Sequence, residues 1–132
     1  MKLVVDTRFF IEHFYSKDPQ VHNKTKLKLE RLIEAREGLV PTIVLAEIAK
    51  VTCEKRGREE AQIRHSAVDR SGLKIVELSA EAAKEAGLLK CKYRDAPIGD
   101  CIIASVAIAT KANVLTDDPH IRKMKEVKTA WI

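Results

Sequence analysis

Short continuous apolar runs alternate along the chain with longer stretches in which apolar residues recur at helical spacing. Leu3-Val4-Val5 has the unbroken apolar character of a strand buried on both faces of a parallel sheet, Leu39-Val40 and Asn113-Val114-Leu115 read as further short strands, and Leu73 to Leu78 is strand-like. Between them the sequence predicts helices, each with its own start and stop signals. Asp6-Thr7 can cap a helix carrying Phe9, Phe10 and Phe14, which Asp18-Pro19 breaks. A second helix over Val21 to Arg36 carries Leu29, Leu32 and Ile33, with Gly38 expected as the glycine that ends it. Thr42 is expected to cap a third helix reaching about Arg56 and stopped by Gly57, and Arg58 to Arg70 reads as a fourth. Ser79 can cap a helix over Ala80 to Lys92. Pro97 opens a helix running to Lys111 that is apolar almost all round, so burial is expected there. Thr116 to His120 reads as a polar loop, Arg122 to Glu126 as one helical turn, and Thr129 to Ile132 as an edge strand.

Strands alternating with helices predict a three-layer α/β/α fold around a mostly parallel central sheet. With 132 residues, and no internal repeat, linker or low-complexity tract, the chain is expected to form one domain over residues 1–132. Apolar residues make up 45% and charged residues 33%, a globular balance, and aromatics are only 5%, so the core must be aliphatic. The longest apolar runs, such as Ile102 to Ala109, fall well short of the ~20 residues a membrane helix needs. The N-terminus enters Val4-Val5-Asp6 without the pattern of a signal peptide, and a cytoplasmic location is the expectation. Cys53, Cys91 and Cys101 form no CxxC pair and are expected to be small, mostly buried thiols in a reducing compartment.

The net charge of +5 suits a polyanionic partner without requiring one. Basic residues cluster (Lys24 to Arg31, Lys50 to Arg58, Lys90 to Arg94), whereas several acids stand singly in apolar surroundings. Asp6 follows the first strand; Thr116, Asp117 and Asp118 follow Val114-Leu115. In open parallel sheets, ligands bind outside the carboxyl ends of the strands. Glu47 lies one turn into a helix leaving a strand end, within Ile43-Val44-Leu45-Ala46-Glu47-Ile48, and Asp100 in the first turn of the most hydrophobic helix. Each has an ordinary explanation: a cap for Asp6, a surface position for Glu47, the helix dipole for Asp100, a turn for Asp118. Together they bring four carboxylates toward one sheet edge, where an oxygen-seeking divalent cation would satisfy them.

The same residues carry a family resemblance. Val5-Asp6-Thr7, Ala46-Glu47-Ile48, Gly99-Asp100-Cys101-Ile102-Ile103-Ala104 and Val114-Leu115-Thr116-Asp117-Asp118-Pro119-His120 resemble, in order and spacing, the four signature blocks of PIN-domain nucleases. The chain is similar above all to the stand-alone toxin ribonucleases of VapBC toxin–antitoxin modules. The resemblance implies a catalytic quartet of Asp6, Glu47, Asp100 and Asp118. It implies that Asp6, Asp100 and Asp118 bind Mg²⁺ or Mn²⁺, with Thr116 and Asp117 in support. Between the adjacent acids Asp117 and Asp118, the latter is the better match. It further implies cleavage of single-stranded RNA by metal-activated water, an antitoxin protein as partner, and a homodimer. Two positions depart from the family pattern: Arg8 stands where a small polar residue is common, and Ile121 where an aromatic is frequent.

Arg8, Lys50 and Arg94 are candidates to steer an RNA backbone. His13, His22, His65 and His120 show no metal-ligand spacing, and His120, near Asp118, is the one candidate for an accessory role. Phe9, Phe10, Phe14, Leu29 and Leu32 either belong to the core or form a groove for a partner's helix. The competing functions are an RNA-processing nuclease or RNA-binding scaffold without an antitoxin, and a receiver-like metal-binding regulatory module. The latter would need an early acid pair and a late lysine that this sequence lacks.

Overall fold

The computed structural model describes residues Met1–Ile132. Five strands, β1 (Leu3–Val5), β2 (Gly38–Pro41), β3 (Lys74–Val76), β4 (Asn113–Leu115) and β5 (Thr129–Ala130), form one sheet in the order β3-β2-β1-β4-β5. Every neighbouring pair is parallel. Seven helices connect them: α1 (Thr7–Tyr15), α2 (Pro19–Ala35), α3 (Thr42–Arg56), α4 (Arg58–Asp69), α5 (Ala80–Lys92), α6 (Ile98–Thr110) and α7 (Pro119–Arg122). Val4 and Val5 of the central strand are both fully buried. Successive strand residues point to opposite faces, so helices cover the sheet on both sides, as the apolar runs predict.

The main core joins β1, β2 and β4 to Phe9, Phe10, Leu32, Val44, Ile48, Ile103 and Val106 from the helices. This settles the aromatic stripe of α1. Phe9, Phe10 and Leu32 are at most 5% exposed, so they are core and leave no groove of the kind the sequence allowed. Phe14 and Leu29 are half-buried against the same core. Ile121 is fully buried there too, so its departure from the family pattern is a change of packing.

Several local expectations are corrected. Gly38 does not end α2; Arg36 takes the left-handed position (φ 56°), and Gly38 opens β2. Its lack of a side chain answers a close approach, because a Cβ there would lie 2.3 Å from Leu73 Cδ2 and 3.2 Å from Leu32 Cβ. Thr42 is the first residue of α3 and does not cap it; Pro41 precedes the helix and no side chain caps it. The helical turn expected at Arg122 to Glu126 lies three residues earlier, as α7, because Asp118 caps it and Pro119 takes its first position. Strands β3 and β5 are shorter than expected. Helix α6 buries Cys101, Ile103, Ala104, Val106 and Ala107, but Ile98 and Ile108 face outward. Of the three thiols only Cys101 is buried; Cys53 and Cys91 are exposed. No helix is long and apolar enough to cross a membrane.

Candidate active site

Strands β1 and β4 lie side by side with Val5 opposite Leu115, so the residues that follow them meet at the carboxyl edge of the sheet. Asp6 leaves β1 and caps α1; its Oδ1 accepts from the Thr7 backbone N–H at 2.8 Å. Its other oxygen, Oδ2, accepts from the Thr116 hydroxyl at 2.6 Å. Thr116 Oγ1 in turn accepts from the Asp118 N–H at 2.9 Å, so one buried hydroxyl sets the spacing of two acids.

Glu47 reaches the same place from the second turn of α3, where Thr7 Oγ1 donates to its Oε1 at 2.8 Å. Asp100 comes from the first turn of α6. Gly99, just before it, allows that helix end to approach: a Cβ there would stand 3.0 Å from Glu47 Oε2. Asp6, Glu47, Asp100 and Asp118 line one open pocket of about 250 Å³, with Thr7 and Arg8 at its walls. The four acids singled out in the sequence are therefore brought together, and Thr116 lies beneath two of them.

Crowding and burial disturb these groups as electrostatics requires. Asp6, 3% exposed, has its pKa pushed up to about 6, chiefly by loss of water, against the hydrogen bonds from Thr116 and Thr7. Asp100 is pushed up to about 7, first by burial and then by the charges of Asp118, Asp6 and Glu47. Near neutral pH Asp100 therefore stays partly protonated, and a cation could replace that proton.

The two adjacent acids point different ways. Asp118 turns into the pocket, whereas Asp117 stays outside it and pairs with Arg8, whose Nε and Nη2 both donate to the carboxylate, the latter at 3.1 Å. This forked contact holds the Asp117 carboxyl below the ordinary carboxylate range. It also gives the unusual Arg8 a structural role, tying the start of α1 to the turn after β4. Lys50 is exposed and paired with Glu54 at 3.2 Å, away from the pocket walls. Arg94 lines a neighbouring hollow with Lys92, Tyr93, Lys123 and His120.

His120, the accessory candidate in the sequence, lies against two of the acids. Its Nδ1 lies 3.0 Å from Asp118 Oδ1 and 3.6 Å from Asp100 Oδ2. Asp100, Asp118 and His120 each offer a ligand atom within 4.8 Å of the others, enough for a three-point cation site. The Asp118-Pro119 pair was the available signal, since it starts a helix whose second residue folds back over its cap. The Thr7 hydroxyl on Glu47 was missed, because Thr7 reads as a simple helix-start residue.

The family model of the PIN domain matches residues 3–127 of the chain. The chain belongs to the PIN domain family. Solved structures agree on the fold. VapBC2 of Rickettsia felis, bound to a promoter DNA fragment, superposes with a TM-score of 0.79 at 21% identity, covering 100% of this chain and 99% of that one. DNA-bound VapBC of Salmonella typhimurium gives 0.76 at 15% identity, covering 99% and 98%. VapC20 of Mycobacterium tuberculosis, a toxin that cleaves the sarcin–ricin loop, gives 0.71 at 18% identity, covering 96% and 98%. No curated protein matches the chain in sequence.

Proposed function

We propose that this PIN domain is a divalent-metal-dependent endoribonuclease, the toxin of a toxin–antitoxin pair, which cleaves single-stranded RNA. The observation that carries the reading is the convergence of Asp6, Glu47, Asp100 and Asp118 on one open pocket that has no serine or cysteine among its walls.

The donor set fits Mg²⁺ or Mn²⁺: oxygen ligands from carboxylates, an open mouth that leaves room for water, and acids whose protons a cation would displace. Asp6, Asp100 and Asp118 would hold the ion, with His120 beside the last two. A divalent ion supplies charge neutralisation at a phosphate and activation of water at neutral pH. The chain's own groups do the rest. Thr116 and Thr7 hold Asp6 and Glu47 in fixed orientations, so the carboxylates are aimed before substrate arrives. Glu47, held by the Thr7 hydroxyl and close to the start of α6, is the carboxylate available to accept a proton from water. Arg94 and Lys123, in the hollow that His120 also lines, supply positive charge for the RNA backbone next to the acids, while Lys92 there is paired with Glu126.

The antitoxin partner rests on the company this fold keeps, since the neighbouring structures include VapBC assemblies and a toxin–antitoxin complex of Klebsiella pneumoniae. A pocket of four carboxylates is also a natural receptor for an inhibitor's arginine, which carboxylates bind through paired hydrogen bonds.

The test is to incubate the purified chain with single-stranded RNA and Mg²⁺ or Mn²⁺. Cleavage that disappears in EDTA and in Asp100→Asn is expected; full activity in excess chelator overturns the metal mechanism. Expression alone should arrest host growth, and co-expression with an adjacent small open reading frame should relieve the arrest through a co-purifying complex. Harmless expression of an active enzyme would favour an RNA-processing role.

A further inference from the structure

The basic hollow beside the acids is built from two turns. The segment between α5 and α6 contributes Tyr93, Arg94 and Asp95, and the end of α7 contributes His120 and Lys123, around a space of about 350 Å³. His120 and Lys123 stand one helical turn apart and so share a face. Through its Nδ1, 3.0 Å from Asp118 Oδ1, His120 also touches the acidic site, so the two spaces adjoin across one imidazole ring.

The walls of this hollow are fixed by contacts that leave two of its cations free. The Tyr93 hydroxyl donates to Glu126 at 2.6 Å and accepts from the Lys125 N–H at 3.0 Å, and Lys92 takes the other Glu126 oxygen at 2.9 Å. Lys90 donates to the Arg94 carbonyl at 2.6 Å, which holds the turn, while the Arg94 guanidinium itself makes no hydrogen bond or ion pair. The Lys123 ammonium is likewise without a partner, and the one carboxylate in the lining, Asp95, is exposed and bonded to neither. Two cations sharing one hollow repel each other, and an anion between them removes the repulsion.

We infer that this hollow is a phosphate subsite, in which Arg94 and Lys123 hold the RNA phosphate next to the scissile one, on one side of the cut only. The inference rests on the nuclease reading above and deepens it from general attraction of RNA to a fixed register. A strand whose scissile phosphate lies over Asp6, Asp100 and Asp118 passes His120 as it leaves on that side, and its next anionic group meets the two cations. Arginine can hold phosphate oxygens in pairs through its fork, and lysine adds a point charge. The one aromatic ring in the lining, Tyr93, already carries the Lys92 ammonium 5.3 Å from its centre, so the hollow suits the backbone and not a base. A bond with no further phosphate on that side is then a poor substrate, and digestion stops short of the last nucleotide there.

The experiment takes a single-stranded RNA oligonucleotide that the full chain cuts at one bond in Mn²⁺ and replaces its backbone phosphates, one at a time, by neutral methylphosphonate. In wild type, one replacement immediately flanking the cut should lower kcat/KM about tenfold, the effect of a charge-assisted hydrogen bond, and its counterpart across the cut should not. Arg94→Gln combined with Lys123→Gln, both at exposed positions, should lose a similar factor on unmodified RNA and nothing further at that position, with Mn²⁺ affinity unchanged. Fluorescence anisotropy of the same RNAs on the Asp100→Asn chain should show the same position-specific penalty in binding. A scan with no single sensitive neighbour, losses spread evenly along the strand, or a penalty that survives in the double variant each overturns the subsite and leaves the nuclease standing. No cleavage of any RNA overturns the nuclease reading and the subsite with it.

Discussion

Thr116 and Asp6 end adjacent parallel strands, and the hydroxyl of the first donates to the carboxylate of the second at 2.6 Å with both residues almost wholly buried. That bond opposes the burial that lifts the Asp6 pKa. Thr116→Val removes it and also leaves the Asp118 N–H without its acceptor. Asp6 should then hold its proton more tightly, and Mn²⁺ affinity at pH 7 should fall about tenfold, in line with the loss of a group that orients a ligand. Stability should drop by about 1–3 kcal/mol for the unpaired buried groups. Isothermal titration and thermal melts measure the two effects, and unchanged metal affinity would remove Thr116 from the site.

The metal-free protein should become more stable as it is acidified from pH 8 toward pH 5. Asp6 and Asp100 have folded pKa values near 6 and 7 against an ordinary 3.8. Between those values the folded state binds more protons than the unfolded state, so stability falls as pH rises through the window. The penalty is complete above about pH 7, where both acids must be charged in the folded protein. A rise in Tm of roughly 5 °C on acidification is expected in EDTA. Asp100→Asn should flatten the profile and melt no lower than wild type at pH 8, although it abolishes cleavage. Saturating Mn²⁺ should raise Tm more at pH 8 than at pH 5, since the ion and the protons compete for the same oxygens. A wild-type profile that rises with pH over this range would contradict the strain assigned to these acids.

Asp117 and Asp118 are adjacent but should differ sharply in consequence. Asp118→Asn, which alters a pocket wall, should cost at least about a hundredfold in cleavage rate. Asp117→Asn breaks the Arg8 pair at the rim, where that pair is largely exposed, and should change the rate by no more than about threefold. Equal losses in the two variants would mean that the rim pair shapes the catalytic pocket.

His120→Ala should weaken Mn²⁺ binding by about 10- to 100-fold and leave the fold intact, because the side chain is 40% exposed and its contacts are with Asp118 and Asp100. The readout is metal titration beside circular dichroism. Wild-type affinity in the variant would make His120 a bystander.

Much of this was legible in the chain itself. Strands β1 and β4 and helix α5 fall where their apolar runs and caps put them, because each is bounded by a side chain that bonds the backbone locally, as Ser79 does to Ala82. Asp6 and Asp118 were readable for a related reason: strand ends in a parallel sheet share an edge, so position in sequence translates into position in space, whereas Glu47 and Asp100 stand on helices and were placed chiefly by the resemblance. What escaped depends on packing between distant segments. Gly38 looked like a helix stop because the Leu73 side chain that excludes a Cβ there lies 35 residues away. The choice between core and groove for Phe9, Phe10 and Leu32 needed to know what covers them. The reach of His120 to Asp100 crosses from α7 to α6, which spacing along the chain cannot express.

The strand order has a consequence for synthesis. Strand β1 is made first yet lies in the middle of the sheet, flanked on one side by β4, whose residues are made more than a hundred positions later. Until β4 has been translated and has slotted in beside it, Asp6 lacks Thr116, and Asp118 does not yet exist. A nascent chain on the ribosome therefore has no competent centre, however well α1 to α5 have formed. Contacts this distant in sequence are also late to close in folding. Under the function proposed above, the centre is assembled only after the turn that follows β4 has been made.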